Sequence, residues 1–139
     1  MSQSVAGRVM PMIVVNSVDA IRNYYVETLG FSHVMGMVGK DGQLDFCTVV
    51  MGEARIMFMR APADAPSRSG KQPVEIYLEV EHVDALHDRL KKKGVAISGP
   101  LTLQWWGDRT FKVLDPNGYE IWFYTHVAEP VPPQGAKLV

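Results

Sequence analysis

One order of apolar and polar positions occurs twice along the chain. In the first half the apolar run Met12-Ile13-Val14-Val15 leads to Val18-Asp19-Ala20-Ile21 and then to Leu29-Gly30-Phe31. In the second half Ile76-Tyr77-Leu78-Glu79-Val80 leads to Val83-Asp84-Ala85-Leu86 and then to Gly94-Val95. Each passage runs from a strand-like stretch, through a polar cap, into apolar positions at helical spacing, and stops at glycine. Ser17 is suited to cap the first helix, and Asp19 puts negative charge in its first turn, where the helix dipole favours it. Ile21, Tyr24, Tyr25 and Leu29 then form one apolar stripe, and Gly30 ends it. Val83, Leu86 and Leu90 carry the second stripe. Lys91-Lys92-Lys93 complements the C-terminal dipole as a solvated helix end, and Gly94 closes it.

Three strand-like stretches follow each helix. In the first half they span Ser32–Met37, Leu44–Val50 and Ala54–Met59, with Gly39-Lys40-Asp41-Gly42 and Gly52 as breakers. In the second they cover Ala96–Ser98, a segment around Thr110–Leu114, and Tyr119–Thr125. Pro62, Pro66, Ser67, Ser69, Gly70 and Pro73 mark residues 61–73 as a linker, and residues 128–139 read as a loose tail. The reading is two tandem βαβββ units, about 8–60 and 74–126, within one domain of residues 1–127. The class is α+β: a curved mixed sheet around a concave cavity, with helices on the outer face.

Three pieces in this order carry a family resemblance: VVNSVDAIRNYYVETLGF, VEIYLEVEHVDALHDRLKKKGV and WGDRTFKVLDPNGYEIWF. Together they cover nearly everything from Val9 to Tyr124, and the chain resembles the glyoxalase/bleomycin-resistance superfamily, also called vicinal oxygen chelate proteins. The match concerns fold; reactions in one fold differ widely.

Composition narrows the functions. A net charge of −1 over 139 residues argues against a nucleic-acid binder, which should carry a basic excess. The single cysteine, Cys47, excludes an intramolecular disulfide and reads as a buried spectator thiol. No run approaches the roughly 20 apolar residues of a membrane span, and Val9 to Val15 is a strand, not a signal peptide. The expectation is a soluble, cytoplasmic protein with no membrane partner.

The resemblance implies a divalent-metal site in the catalytic members, with His, Glu or Gln ligands on the first, fifth and last strands and a fourth near the end of the first half. Those positions fall here on Met10, Glu75, Trp122 and, less sharply, Arg55. Only Glu75 suits such a metal: Met10 is a soft thioether, Trp122 lacks a usable lone pair, and Arg55 is permanently cationic. His33, His82, His87 and His126 have no ligating spacing and read as surface residues. No metal, other cofactor or catalytic residue is therefore expected.

Strand alternation puts Glu120, Trp122 and Tyr124 on one face, with Ile121 and Phe123 on the other. By the same parity Glu75, Tyr77 and Glu79 face the cavity, as do Arg55, Met57 and Met59. Trp105 and Trp106 lie in the loop before the seventh strand, at the expected cavity rim. A lining of Trp105, Trp106, Trp122, Tyr77, Tyr124, Met10 and Met57, with Glu75 or Arg55 as orienting charges, suits a flat conjugated ligand. The expected function is metal-independent binding of a planar aromatic compound such as a bleomycin-like antibiotic, by a homodimer. The alternatives are a lyase, isomerase or dioxygenase of the same superfamily using Glu75 as base or as part of an atypical metal site, and a dimeric scaffold without a ligand.

The donor positions give a constructive test. The natural protein should hold no stoichiometric divalent metal, whereas Met10→His combined with Trp122→Glu should create affinity measurable by calorimetry. A double variant that binds no metal would point to a strand register wrong by one residue, because such a slip exchanges the two faces.

Overall fold

In a computed structural model of the protein, residues 4–66 and 70–139 are described. Of the linker positions, Ser67 and Ser69 lie outside the described residues. The chain divides into two compact units, Met1–Ser67 and Arg68–Val139. Each contains one four-stranded mixed sheet, as the repeat in the sequence predicts.

The first unit runs β1 (Met12–Val15), α1 (Val18–Asn23) continuing as a π-helical segment Tyr24–Leu29, β2 (Ser32–Val38), β3 (Leu44–Met51) and β4 (Ala54–Arg60). Its strand order is β1-β4-β3-β2, with β1 parallel to β4 and the other pairs antiparallel. The predicted cap forms: Ser17 Oγ accepts from the Ala20 amide at 3.1 Å. The first helix widens into π turns after Asn23 instead of staying α-helical to Leu29. Through that turn Tyr25 and Leu29 are both fully buried, and the Tyr25 ring meets Phe31 and Phe58 at 5.2 and 4.9 Å. Gly30 ends the segment at φ 94°, the left-handed conformation that glycine adopts without a Cβ penalty. Cys47, on β3 opposite Phe58, is buried, and burial pushes its thiol up to about 11. A thiol so protonated is a poor nucleophile at neutral pH.

The second unit runs β5 (Glu75–Glu79), α2 (Val83–Lys92), β6 (Ile97–Leu103), β7 (Asp108–Leu114) and β8 (Glu120–His126), in the order β5-β8-β7-β6. Val83, Leu86 and Leu90 of α2 are buried with Phe111, Val113, Ile121 and Phe123 of the sheet. The sixth strand is longer than the expected Ala96–Ser98, running on through Pro100 to Leu103. It is an edge strand, so the amide that Pro100 lacks costs no ladder hydrogen bond. His87 also departs from expectation: it is half-buried, with its ring edge-on to Phe111 at 5.2 Å, because its place on α2 turns it toward the sheet. Residues after β8 are tied to the loop before β7. The amides of Val127 and Ala128 donate to Gly107 O, and that of Val131 donates to Trp105 O.

The hairpin between β7 and β8 is fixed by Asp115, whose Oδ1 accepts from the amides of Asn117 and Tyr119 at 2.9 and 3.0 Å. Gly118 closes the turn at φ 85°, and a Cβ there would collide with Gly70 O. Gly94 has a similar φ of 86° but open space around it. Replacing either glycine by alanine incurs the left-handed penalty of about 1–2 kcal/mol. Gly118→Ala should cost clearly more than Gly94→Ala in urea unfolding, because only it adds a clash with backbone. Equal losses would contradict the close approach of residues 70 and 118.

Candidate functional site

The two faces of the second sheet differ in kind. One face packs Ile121, Phe123, Phe111 and Val113 against α2 and is closed. The open face follows from strand register, in rows across neighbouring strands. Glu75 lies opposite Glu120; Tyr77, Trp122, Lys112 and Gly99 form the next row; Glu79, Tyr124, Thr110 and Thr102 the next. Asp108 and His126 end the series.

Five aromatic residues on this side form a connected array. Tyr77 stacks on Tyr124 at 4.3 Å and an interplanar angle of 19°, and lies 5.8 Å from Trp122. Trp106, from the turn between β6 and β7, lies 6.2 Å from Trp122 and meets Trp105 edge-on at 5.5 Å. The polar atoms of Tyr77, Trp106 and Trp122 are engaged. Trp106 Nε1 donates to the Tyr77 hydroxyl at 2.8 Å, and that hydroxyl donates to Asp108 Oδ2 at 2.6 Å. His126 Nδ1 lies 2.8 Å from the other Asp108 oxygen. Trp122 Nε1 donates to Glu75 Oε1 at 2.7 Å.

Burial opposes ionisation of Asp108, but the hydrogen bonds from Tyr77 and His126 outweigh it and hold the carboxyl below its ordinary value. Burial, and then the bond to Asp108, push the Tyr77 phenol up to about 12. At neutral pH the pair is therefore a carboxylate accepting from a neutral phenol. Arranged this way it holds a ring in place.

Beside the array lies a compact charged group. Glu120 is 6 % exposed although it sits on the open face. Its Oε1 is 3.2 Å from Lys71 Nζ and 3.5 Å from Lys112 Nζ, and its Oε2 accepts from Ser98 Oγ at 3.3 Å. Burial raises the Glu120 carboxyl, but Lys71, Glu75 and Lys112 together bring it below the ordinary range. The Lys112 ammonium also stands over the Trp122 ring, 4.5 Å from its centroid.

The open face of the first sheet is of another kind. Register puts Met12, Met57, Thr48 and Met35 in one row and Val14, Met59, Phe46 and Met37 in the next. Five methionines thus share one sheet face, and Met12, Met35 and Met37 are each more than half exposed. Arg55 lies on this face opposite Val50. At one end a cleft of about 820 Å³ includes Met37, Phe46 and Met59, with Arg60 bridging Asp41 and Asp45 at its margin.

The residues named from sequence are thus distributed between the units. Trp105, Trp106, Trp122, Tyr77 and Tyr124 come together in the second unit, and Glu75 joins them through the Trp122 indole. Met57 and Arg55 are on the open face of the first. Met10 precedes β1 and is 41 % exposed. Glu75 Oε1 accepts a hydrogen bond from the Trp122 indole. Sequence reasoning missed Asp108, His126 and Lys112. Asp108 and His126 stand at strand ends, where alternation is hardest to extrapolate, but Lys112 was available from the parity of Phe111-Lys112-Val113.

The donor set does not fit the divalent metal that this fold carries in other proteins. A thioether, an arginine and an indole whose N–H is engaged leave Glu75 as the one hard donor among the four positions. Among the described residues, no three His, Cys, Asp or Glu side chains are grouped to hold a metal ion.

Comparisons with known proteins agree with this architecture. The family model described as the Glyoxalase/Bleomycin resistance protein/Dioxygenase superfamily matches residues 7–123. A bleomycin resistance protein of Geobacillus stearothermophilus is 28 % identical over 132 residues, covering 85 % of this chain and 96 % of that protein. TioX from Micromonospora sp. ML1 has a similar structure, with a TM-score of 0.72 and 21 % identity over 88 % of this chain and all of that one. TnmS3, an antibiotic-binding protein from Streptomyces sp. CB03234, has a TM-score of 0.66 and 23 % identity over 94 % of this chain and all of that one. A twice-repeated βαβββ unit and a family model that spans both copies lead to one conclusion: the chain belongs to the glyoxalase/bleomycin-resistance/dioxygenase superfamily.

Proposed function

We propose that this protein binds a planar aromatic small molecule without a metal and sequesters it unchanged, as a homodimer in which the two units of each chain form one domain. The observation that carries this reading is the open aromatic array of the second unit. Trp105, Trp106, Trp122, Tyr77 and Tyr124 present flat π surfaces, and the N–H or O–H groups of Trp106, Trp122 and Tyr77 are already bonded within the protein. Such rings keep a fixed geometry and lose little entropy when a flat compound stacks on them.

Three further features support the proposal. The methionine face of the first unit is the kind of adaptable apolar surface that accommodates irregular ligands. Relatives named for bleomycin resistance, and a structural neighbour named for antibiotic binding, make an antibiotic-like aromatic the favoured class. The chemistry of Met10, Arg55 and Trp122 favours binding over metal-assisted turnover. In the dimer, exposed Met35, Met37 and Val38 of edge strand β2 would gain cover. Roles follow from position: Trp106, Trp105 and Trp122 stack, Tyr77 and Tyr124 wall the site, and Glu75 and Arg55 orient polar substituents.

A titration with a bithiazole or phenazine should quench tryptophan fluorescence saturably, and chelators should leave the binding unchanged. Native mass spectrometry should give two chains with one or two ligands. Trp106→Ala should weaken binding about tenfold, the equivalent of about 1.4 kcal/mol, whereas Lys92→Ala on the exposed end of α2 should change nothing. A panel of planar compounds that neither quenches nor stabilises the protein would contradict sequestration. Chelator-sensitive turnover would establish an enzyme instead.

A further inference from the structure

We propose that Lys112 is an internal occupant of a cation site on the aromatic face, and that the ligand is a planar compound carrying a positive charge which takes that place. The inference rests on the aromatic face being the ligand surface and adds the chemical class of the ligand and the residue that guards it.

Four observations define the position. The Lys112 ammonium lies 4.5 Å from the Trp122 centroid, where the electron-rich face of an indole attracts a cation. Trp122 is flanked by Tyr77 and Trp106, so the ammonium stands beside a group of three aromatic rings. On its other side is Glu120, only 6 % exposed, with Oε1 3.5 Å from this ammonium and 3.2 Å from that of Lys71. Glu75 is directly opposite Glu120 in the register. Two neighbouring carboxylates repel each other unless cations stand nearby, and Lys112 and Lys71 meet that need from the edge of the array.

Room for the lysine is built in. Its stem crosses Gly99, where an added Cβ would come within 3.1 Å of Lys112 Cβ and Cγ and closer still to Cε. The stem therefore lies in a groove that any larger residue at 99 would fill. The ammonium is held by an ion pair without a hydrogen bond and by the indole face, and the side chain keeps 26 % of its exposure. A flexible lysine of this kind can swing to solvent at small cost, whereas Glu120 and Trp122 are fixed by the sheet.

A flat ligand that stacks on the same face of Trp122 must displace the ammonium. A neutral ligand then forfeits the attraction of indole and carboxylate to a cation. A ligand with a protonated or quaternary amine restores both, so the arrangement selects for cations and Lys112 acts as a tethered competitor. An anionic ligand drawn to Lys71 and Lys112 is the contrasting case, and it would have to approach Glu75 and Glu120.

Three naphthalene probes of matched size distinguish these cases by calorimetry: naphthylmethyl-trimethylammonium, naphthylmethyl methyl ether and naphthylacetate. With the natural protein the cation should bind about tenfold more tightly than the ether, and the anion most weakly. Lys112→Met, which keeps the apolar stem and removes the charge, should raise cation affinity about tenfold and further weaken the anion. Lys112→Arg should keep the natural ranking, and Lys112→Gln repeats the neutralisation should the methionine variant fold poorly. Tightest binding by the anion, or a neutral variant that leaves cation affinity unchanged or lower, would overturn the cation site. If cation and ether bind equally and neither responds to Lys112→Met, this inference fails while the ligand surface stands. If no probe binds to any variant, the ligand surface itself fails and the inference with it.

Discussion

The short hydrogen bond from the Tyr77 hydroxyl to Asp108 anchors the chemistry of the second unit. Large aromatic side chains are favourable on a half-open sheet face only if their polar atoms find partners, since an unpaired donor in such a place costs about 1–3 kcal/mol. Asp108 satisfies Tyr77, Tyr77 satisfies Trp106, and Glu75 satisfies Trp122. Each bond also removes a ring's freedom, so the array is ordered by its own polar edges and presents apolar faces outward. Burial and then the bond to Asp108 raise the Tyr77 phenol, while the bonds from Tyr77 and His126 hold Asp108 below its ordinary value against its own burial.

A common plan has been used differently in the two units. Both have a mixed sheet with the same strand order, one face closed by a helix and one open. On the first open face the register gathers methionines, which are flexible and polarisable; on the second it gathers tryptophan and tyrosine, which are rigid. Methionines suit an apolar surface of variable shape, and rigid rings suit a flat conjugated one.

Much of this was legible in the sequence because its signals were local and redundant. Ser17, Gly30 and Gly94 set helix limits through backbone chemistry that does not depend on tertiary context, and the alternation around Trp122 fixed the buried and open faces of β8. The length of β6 was hidden because Pro100 ordinarily stops a strand, and only its place at the sheet edge makes it harmless. The π-helical segment left no sequence mark, since it conserves the same apolar stripe as an α-helix. The hydrogen bond from the Trp122 indole to Glu75 was not foreseen, because the two residues are not opposite each other in the register and meet only through the length of the indole. Asp108 was missed because it stands at the end of β7, where alternation is hardest to extrapolate, and Lys112, although its parity was available, because a charged strand residue reads as solvent-facing.

The central claim is that the aromatic face of the second unit is the binding surface and that its hydrogen-bonded rings stay in place when it is used. Heteronuclear NMR of protein labelled with nitrogen-15 at its indoles, titrated with a cationic planar dye, tests this directly. The Nε1–H signals of Trp106 and Trp122 should shift saturably with one dissociation constant and remain in slow exchange with solvent, because their bonds to Tyr77 and Glu75 persist. Saturable binding of the dye with no shift at either indole would put the ligand elsewhere and contradict the claim.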